Sequence, residues 1–174
     1  FDAIELHGAH GYLMHQFISP VSNHRTDEFG GSFDNRMRFP LSIVKAVREA
    51  VPASIALGIR MTGTDWYEGG LGTNDAIAQA RAFKQAGMDF ACVSGGGSRP
   101  DVKVALGPGY QVPFAEAVKK ETGLVTRAVG MIADPLQAEE IIAKGRADMV
   151  AMARAFLDNP RWPWHAADKL GATI

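Results

Sequence analysis

Short apolar runs alternate with longer stretches of helical period along the whole chain, and this alternation constrains the fold most. The runs Ala3–Leu6, Ile55–Met61, Phe90–Ser94, Leu124–Val129 and Met149–Met152 read as strands. The stretches Asp34–Ala50, Thr73–Ala86, Pro113–Glu121, Pro135–Lys144 and Arg161–Leu170 read as helices. Two helices close alike, with Gly87-Met88-Asp89 before one strand and Gly145-Arg146-Ala147-Asp148 before another. Glycine suits the left-handed turn from helix into strand. Asp34, Thr73 and Asp134 are the expected N-caps, the last with Pro135 at the first helical position.

Such alternation builds a parallel sheet with crossover helices. An open doubly wound sheet is one candidate, but no Gly-x-Gly-x-x-Gly follows the first strand and the Gly95-Gly96-Gly97 run opens no clear helix. A closed (β/α)8 barrel normally needs about 250 residues. With 174 residues the chain is too short for the whole barrel and fits its last five units, the fourth to eighth strands. It begins on Phe1, directly at a strand, so residues 1–174 are expected to be the C-terminal portion of one longer barrel domain.

Charge and cysteine usage narrow the function classes. A net charge of -1 with scattered Arg and Lys gives no general attraction to nucleic acid or anionic membrane. The longest apolar runs are of strand length, so no membrane span is expected. The single Cys92 rules out an internal disulfide and any cluster held by several cysteines of this chain. Within Asp89-Phe90-Ala91-Cys92-Val93 it reads as a buried, inert thiol.

Barrel enzymes place their chemistry at the C-terminal ends of strands. His7 ends the first strand, and His10 and Tyr12 follow past Gly8. Two imidazoles and a phenol there can grip a carbonyl or nitro oxygen while the neighbouring carbon is reduced. Glu5, His7 and His10 are also metal-ligand types, but Glu5 is expected to point deep into the barrel, below the mouth, so no metal site is assigned. On the second strand Ala56, Gly58 and Arg60 share a face. The small residues leave room, and Arg60 emerges at the mouth as a permanent cation. The last two strands end in Val129-Gly130-Met131 and Ala153-Arg154. Loops after the seventh and eighth barrel strands often bind phosphate, so Val129, Gly130, Ala153 and Arg154 are read as a phosphate site. The dense polar loop Asn23–Arg38 reads as a fixed hydrogen-bonded scaffold; His15, His24 and His165 read as satisfying local or surface contacts.

The run Phe1–Phe39, with the pieces Gly107–Glu116 and Gly145–Trp164, resembles the old yellow enzyme family of FMN-dependent ene-reductases, in its bacterial "thermophilic-like" subgroup. That resemblance implies FMN in a barrel, reduced by NADH or NADPH, with hydride passed to an activated alkene such as an enone or nitroalkene. By motif position His7 and His10 would hold the substrate oxygen, with Tyr12 beside them. Arg60 would lie at the pyrimidine edge of the flavin, and Gly130, Ala153 and Arg154 would take the FMN phosphate. It further implies a cytoplasmic homo-oligomer, a dimer or tetramer, in full-length form. The early strands that complete the flavin site are absent from this sequence, so this segment alone is expected to be poorly soluble and to bind FMN weakly. Two other readings stand beside this one: a metal-dependent barrel hydrolase or lyase using the histidine pair, and a non-catalytic flavin-binding fragment.

Overall fold

In the computed structural model, which describes residues 1–173, five strands form one parallel sheet. They are β1 (Ala3–Gly8), β2 (Ala56–Thr64), β3 (Phe90–Gly95), β4 (Val125–Val129) and β5 (Met149–Ala151), paired in chain order. A doubly wound sheet reverses its strand order at a switch point; here every new strand is added on the same side. The sheet is also strongly curved. Glu5 on β1 and Arg127 on β4 form an ion pair, although a flat sheet would hold strands with two others between them roughly 14 Å apart. Only a sheet curling towards closure lets these side chains meet across its concave face.

Register fixes which residues share that face. His7, Arg60, Cys92, Arg127 and Met149 form one row across all five strands. Gly58 sits below Arg60, and the Phe90 ring fills the space it leaves, since a Cβ there would fall 2.1 Å from the ring. The opposite parity, including Leu57, Ile59, Met61, Ala91, Val93 and Ala128, is fully buried against the helices.

The described residues form seven helices: α1 (Leu13–Ile18), α2 (Phe33–Ala50), α3 (Thr73–Gln85), α4 (Val112–Thr122), α5 (Pro135–Ala143), α6 (Arg154–Asp158) and α7 (Trp162–Leu170). Two expected N-caps move. Ser32, not Asp34, caps α2, its hydroxyl accepting the Asn35 N–H at 3.2 Å. Gly72, not Thr73, precedes α3, where the Asp75 carboxylate reaches back to the Gly72 N–H at 2.8 Å. Asp134 caps α5 as expected, accepting the Leu136 N–H at 2.9 Å. Helices α1 and α6 were not foreseen.

The repeated helix endings have a shared purpose. The Asp89 carboxylate accepts the Leu57 N–H at 2.7 Å while the Asp89 N–H donates to the Leu57 carbonyl at 2.8 Å. Asp148 makes the same two bonds with Thr126, at 2.9 and 3.0 Å. Each aspartate therefore staples the foot of its strand to the foot of the preceding strand. The polar loop is a fixed network, as its composition suggested. Asn23 donates to the carbonyls of Phe17 and Phe29, both at 2.7 Å, and Arg36 donates to the Ile18 carbonyl at 2.7 Å. It thereby secures α1, which follows the histidine-bearing strand end. Among the described residues no helix is long and apolar enough to cross a membrane.

Candidate active site

Among the described residues three non-glycine residues have positive φ: His10 (58°), Trp66 (66°) and Met131 (53°). They lie just past β1, β2 and β4, all at the C-terminal end of the sheet. Such backbone costs roughly 1–3 kcal/mol per residue and collects where geometry serves a function. A cleft of about 580 Å³ opens at that end, a size suited to a small-molecule or cofactor site. His10, Arg60, Val129, Gly130, Ala153 and Arg154 all line it. Six of the eight residues singled out in the sequence are thus brought to one cavity. His7 and Tyr12 do not line it. They stand beside it, the His7 ring 5.7 Å from His10 and 4.8 Å from Tyr12.

The hydrogen bonds assign the protons. His7 Nδ1 accepts the Ala9 N–H at 3.2 Å, which leaves its hydrogen on Nε2. His10 lies 2.8 Å from the Gly96 carbonyl through Nδ1; a carbonyl only accepts, so that nitrogen carries the hydrogen. Burial holds the His10 imidazole below its ordinary value; the Gly96 bond opposes this and the Arg60 cation adds to it. His7 is lowered too, by burial and then by Arg60. Both rings are neutral donors near neutrality.

Ser94 is the hub of the cleft floor. It is the last concave-facing residue of β3, following Phe90 and Cys92 at strand period, a signal that was present in the sequence but unused. Its hydroxyl lies 2.8 Å from His10 Nε2, accepts Arg60 Nη2–H at 3.2 Å and lies 3.1 Å from Gln111 Oε1. Gln111 was likewise missed, although it sits in the motif Gly107–Glu116. Arg60 Nε is buried with no partner. A cation with an unused N–H on the floor of an otherwise largely apolar cleft calls for an anionic or acceptor-rich ligand.

On the far wall Gly130 has φ 120°, and a Cβ there would lie 2.9 Å from Gln111 Nε2 and 3.0 Å from the Tyr110 ring. Lacking a side chain, Gly130 lines the cleft while the Gln111 and Tyr110 side chains pack into the space a Cβ would take. Arg154 opens α6 at the next strand end and is exposed; among the described residues it forms no ion pair. Glu5, the third ligand type beside the histidines, is engaged by Arg127. Among the described residues no group of three His, Cys, Asp or Glu is placed to hold a metal. Cys92 is buried, and burial pushes its thiol up.

A parallel sheet in chain order, curling towards closure, with its cleft at the C-terminal strand ends, is a section of a TIM barrel. The chain belongs to the NADH:flavin oxidoreductase / NADH oxidase family, whose model matches residues 1–172. It is 49% identical to an NADPH dehydrogenase of Geobacillus sp. (strain WCH70) over 174 residues, all of this chain and 50% of that protein. An NADPH dehydrogenase of Geobacillus thermodenitrificans is 44% identical, again over all of this chain and 50% of the relative. Among solved structures, morphinone reductase superposes with a TM-score of 0.75 at 28% identity, covering 100% of this chain and 45% of its own. A 2-naphthoyl-CoA reductase complex superposes at 0.88 with 29% identity, covering 99% and 26%. The chain spans about half the length of the curated relatives it matches.

Proposed function

We propose that residues 1–174 are the C-terminal part of one FMN-binding barrel domain, and that the full-length protein reduces activated C=C bonds at the expense of NAD(P)H. The observation that carries this reading is one cleft holding the orphaned Arg60 Nε, the bare Gly130 backbone and the His10 side chain, with Ser94 joining the cation to the imidazole.

These residues fit FMN. Arg60 offers a fixed positive charge and a free N–H to the electron-rich edge of a flat ring. Val129 and Gly130 let such a ring or its phosphate arm approach the backbone, and Ala153 and Arg154 supply a strand end and a cation for phosphate oxygens. When bound, FMN supplies the hydride chemistry, taking hydride from NAD(P)H and passing it to the acceptor carbon. The protein's own residues bind and polarise. His7 Nε2–H donates to the carbonyl or nitro oxygen of an enone or nitroalkene, withdrawing charge from the double bond. His10, whose one N–H is on Nδ1, reaches the same oxygen by turning that N–H away from the Gly96 carbonyl. Tyr12, exposed beside His7, lines the substrate side. The full-length enzyme is a cytoplasmic homo-oligomer on this reading, testable by size-exclusion chromatography of the native protein.

The direct test is a visible spectrum of the full-length protein, then anaerobic NADPH, then 2-cyclohexenone. Flavin bands that bleach with NADPH and return with the enone support the cycle. A colourless protein that FMN cannot reconstitute overturns it. In the double variant His7→Ala/His10→Ala, phenol binding and enone reduction are expected to vanish while FMN stays bound. Loss of FMN instead would make the pair structural.

A further inference from the structure

A second histidine-containing group lies behind the cleft and touches none of its contents. His15 on α1 and Asp65, just past β2, are 1% and 0% exposed. His15 Nε2 stands 3.2 Å from Asp65 Oδ1. His15 Nδ1 accepts the Gly11 N–H at 2.8 Å, so the ring hydrogen sits on Nε2, the nitrogen nearest the carboxylate, although the two do not line up as a hydrogen bond. Asp65 also accepts the Leu71 N–H at 2.8 Å and the Ser98 hydroxyl at 3.2 Å. Burial alone would raise this carboxyl, but the donors from His15, Leu71 and Ser98 outweigh it and hold it below the ordinary value.

Both ends of this group terminate next to His10. Gly11, held by His15, is the residue after His10, and His10 itself has the strained φ of 58°. Ser98, held by Asp65, lies two residues beyond Gly96, whose carbonyl receives the His10 N–H. The two loops touch: a Cβ on Gly11 would lie 3.2 Å from the Ser98 Cα. A left-handed histidine persists only when its surroundings over-determine it, and these bonds fix the residue that follows it and the loop that receives its N–H.

We propose that His15 and Asp65 are positioning residues that clamp His10 in its donor geometry, without contact with cofactor or substrate. The proposal rests on the reading that His10 serves the substrate oxygen. A buried carboxylate and a buried imidazole are costly to keep, and here one bond of each, to Gly11 and from Ser98, leads to a loop that carries or receives His10.

The test uses the full-length flavoprotein and the variants His15→Ala, His15→Asn and His15→Gln. Flavin content and the rate of bleaching by NADPH are read beside the dissociation constant for para-cresol and the KM and kcat for 2-cyclohexenone. In His15→Ala the flavin content and NADPH step are expected to hold, while cresol affinity and kcat/KM for the enone fall about tenfold, as for a misplaced donor. An Asn oxygen can occupy the place of imidazole Nδ1 and accept the Gly11 N–H, whereas Gln replaces only the Nε2 side. His15→Asn is therefore expected to bind cresol more tightly than His15→Gln. Wild-type cresol affinity in His15→Ala overturns the proposal. So does equal affinity in the Asn and Gln variants, which decides the matter if the Ala variant does not fold. Parallel loss of flavin, NADPH reaction and cresol binding in all three variants also overturns it, since the pair would then hold the fold alone. A wild-type protein that neither bleaches with NADPH nor responds to cresol refutes the function reading instead.

Discussion

The sharpest perturbation available is Gly97→Ala. Gly97 has φ 81°, and a Cβ there would stand 3.0 Å from His10 Nδ1 and 3.3 Å from His10 Cβ. The left-handed backbone alone costs an alanine roughly 1–2 kcal/mol. The imidazole must also yield by a few tenths of an ångström. It is held at 2.8 Å by Gly96 on one side and at 2.8 Å by Ser94 on the other, so relief stretches one of those bonds. A weakened hydrogen bond adds roughly 0.5–1.5 kcal/mol. The total is about 2–3 kcal/mol of stability, and a donor displaced by half an ångström is expected to cost about tenfold in turnover of the alkene. Urea unfolding reads the first quantity. Stopped-flow reoxidation of the reduced enzyme by 2-cyclohexenone reads the second, with NADPH reduction as internal reference. Unchanged stability with unchanged reoxidation would refute the idea that this contact sets the place of His10.

Three other outcomes are expected of the full-length protein. Arg60→Gln removes the cleft's buried cation, a charge-assisted interaction of about 1.5–3 kcal/mol. If that cation favours the anionic reduced flavin, the two-electron potential should drop by roughly 30–60 mV in a dye-equilibration titration, and an unmoved potential would place Arg60 away from the flavin. Gly130→Val adds a β-branched side chain at φ 120° against Tyr110 and Gln111, with roughly 1–3 kcal/mol of strain; FMN affinity by fluorescence quenching should weaken markedly, and normal affinity would remove Gly130 from the site. His7 and His10 are both held below the ordinary value of 6.5, chiefly by burial. As pH falls from 6.5 towards their folded values the unfolded chain binds more protons, so stability is full above this window and declines as pH drops through it. Replacing both with Asn should flatten the stability slope between about pH 7 and 5; an unaltered slope would assign it to other groups.

Much of the architecture could be read from residues near one another in the chain. Period and punctuation located all five strands, because each is a short apolar run bounded by glycine or proline signals. Helices α1 and α6 escaped because six and five residues are too few to display a period. Cap assignment failed where Ser32, Asp34 and Asn35 crowd together, since all three side chains suit that position and only the backbone angles choose Ser32. The cleft was legible wherever a strand end announced it: Arg60, Gly130 and Arg154. What stayed hidden is contact between distant residues. His10 meets Ser94 across 84 positions and Glu5 meets Arg127 across 122, encounters that depend on how far the sheet curls. His15 read as satisfying a local or surface contact, and its bond from Gly11 is local, but its burial beside Asp65 stayed hidden because Asp65 lies on another unit.

The paired aspartate staples at the foot of the sheet bear on how such a protein can change. Asp89 and Asp148 lock register at the end opposite the cleft, each through one carboxylate bond and one backbone bond. Loops at the mouth can therefore be lengthened, shortened or exchanged without β3 losing its alignment to β2, or β5 to β4. Inheritance of the scaffold and invention of new specificity become separable, one written at the base of the strands and the other at their tips.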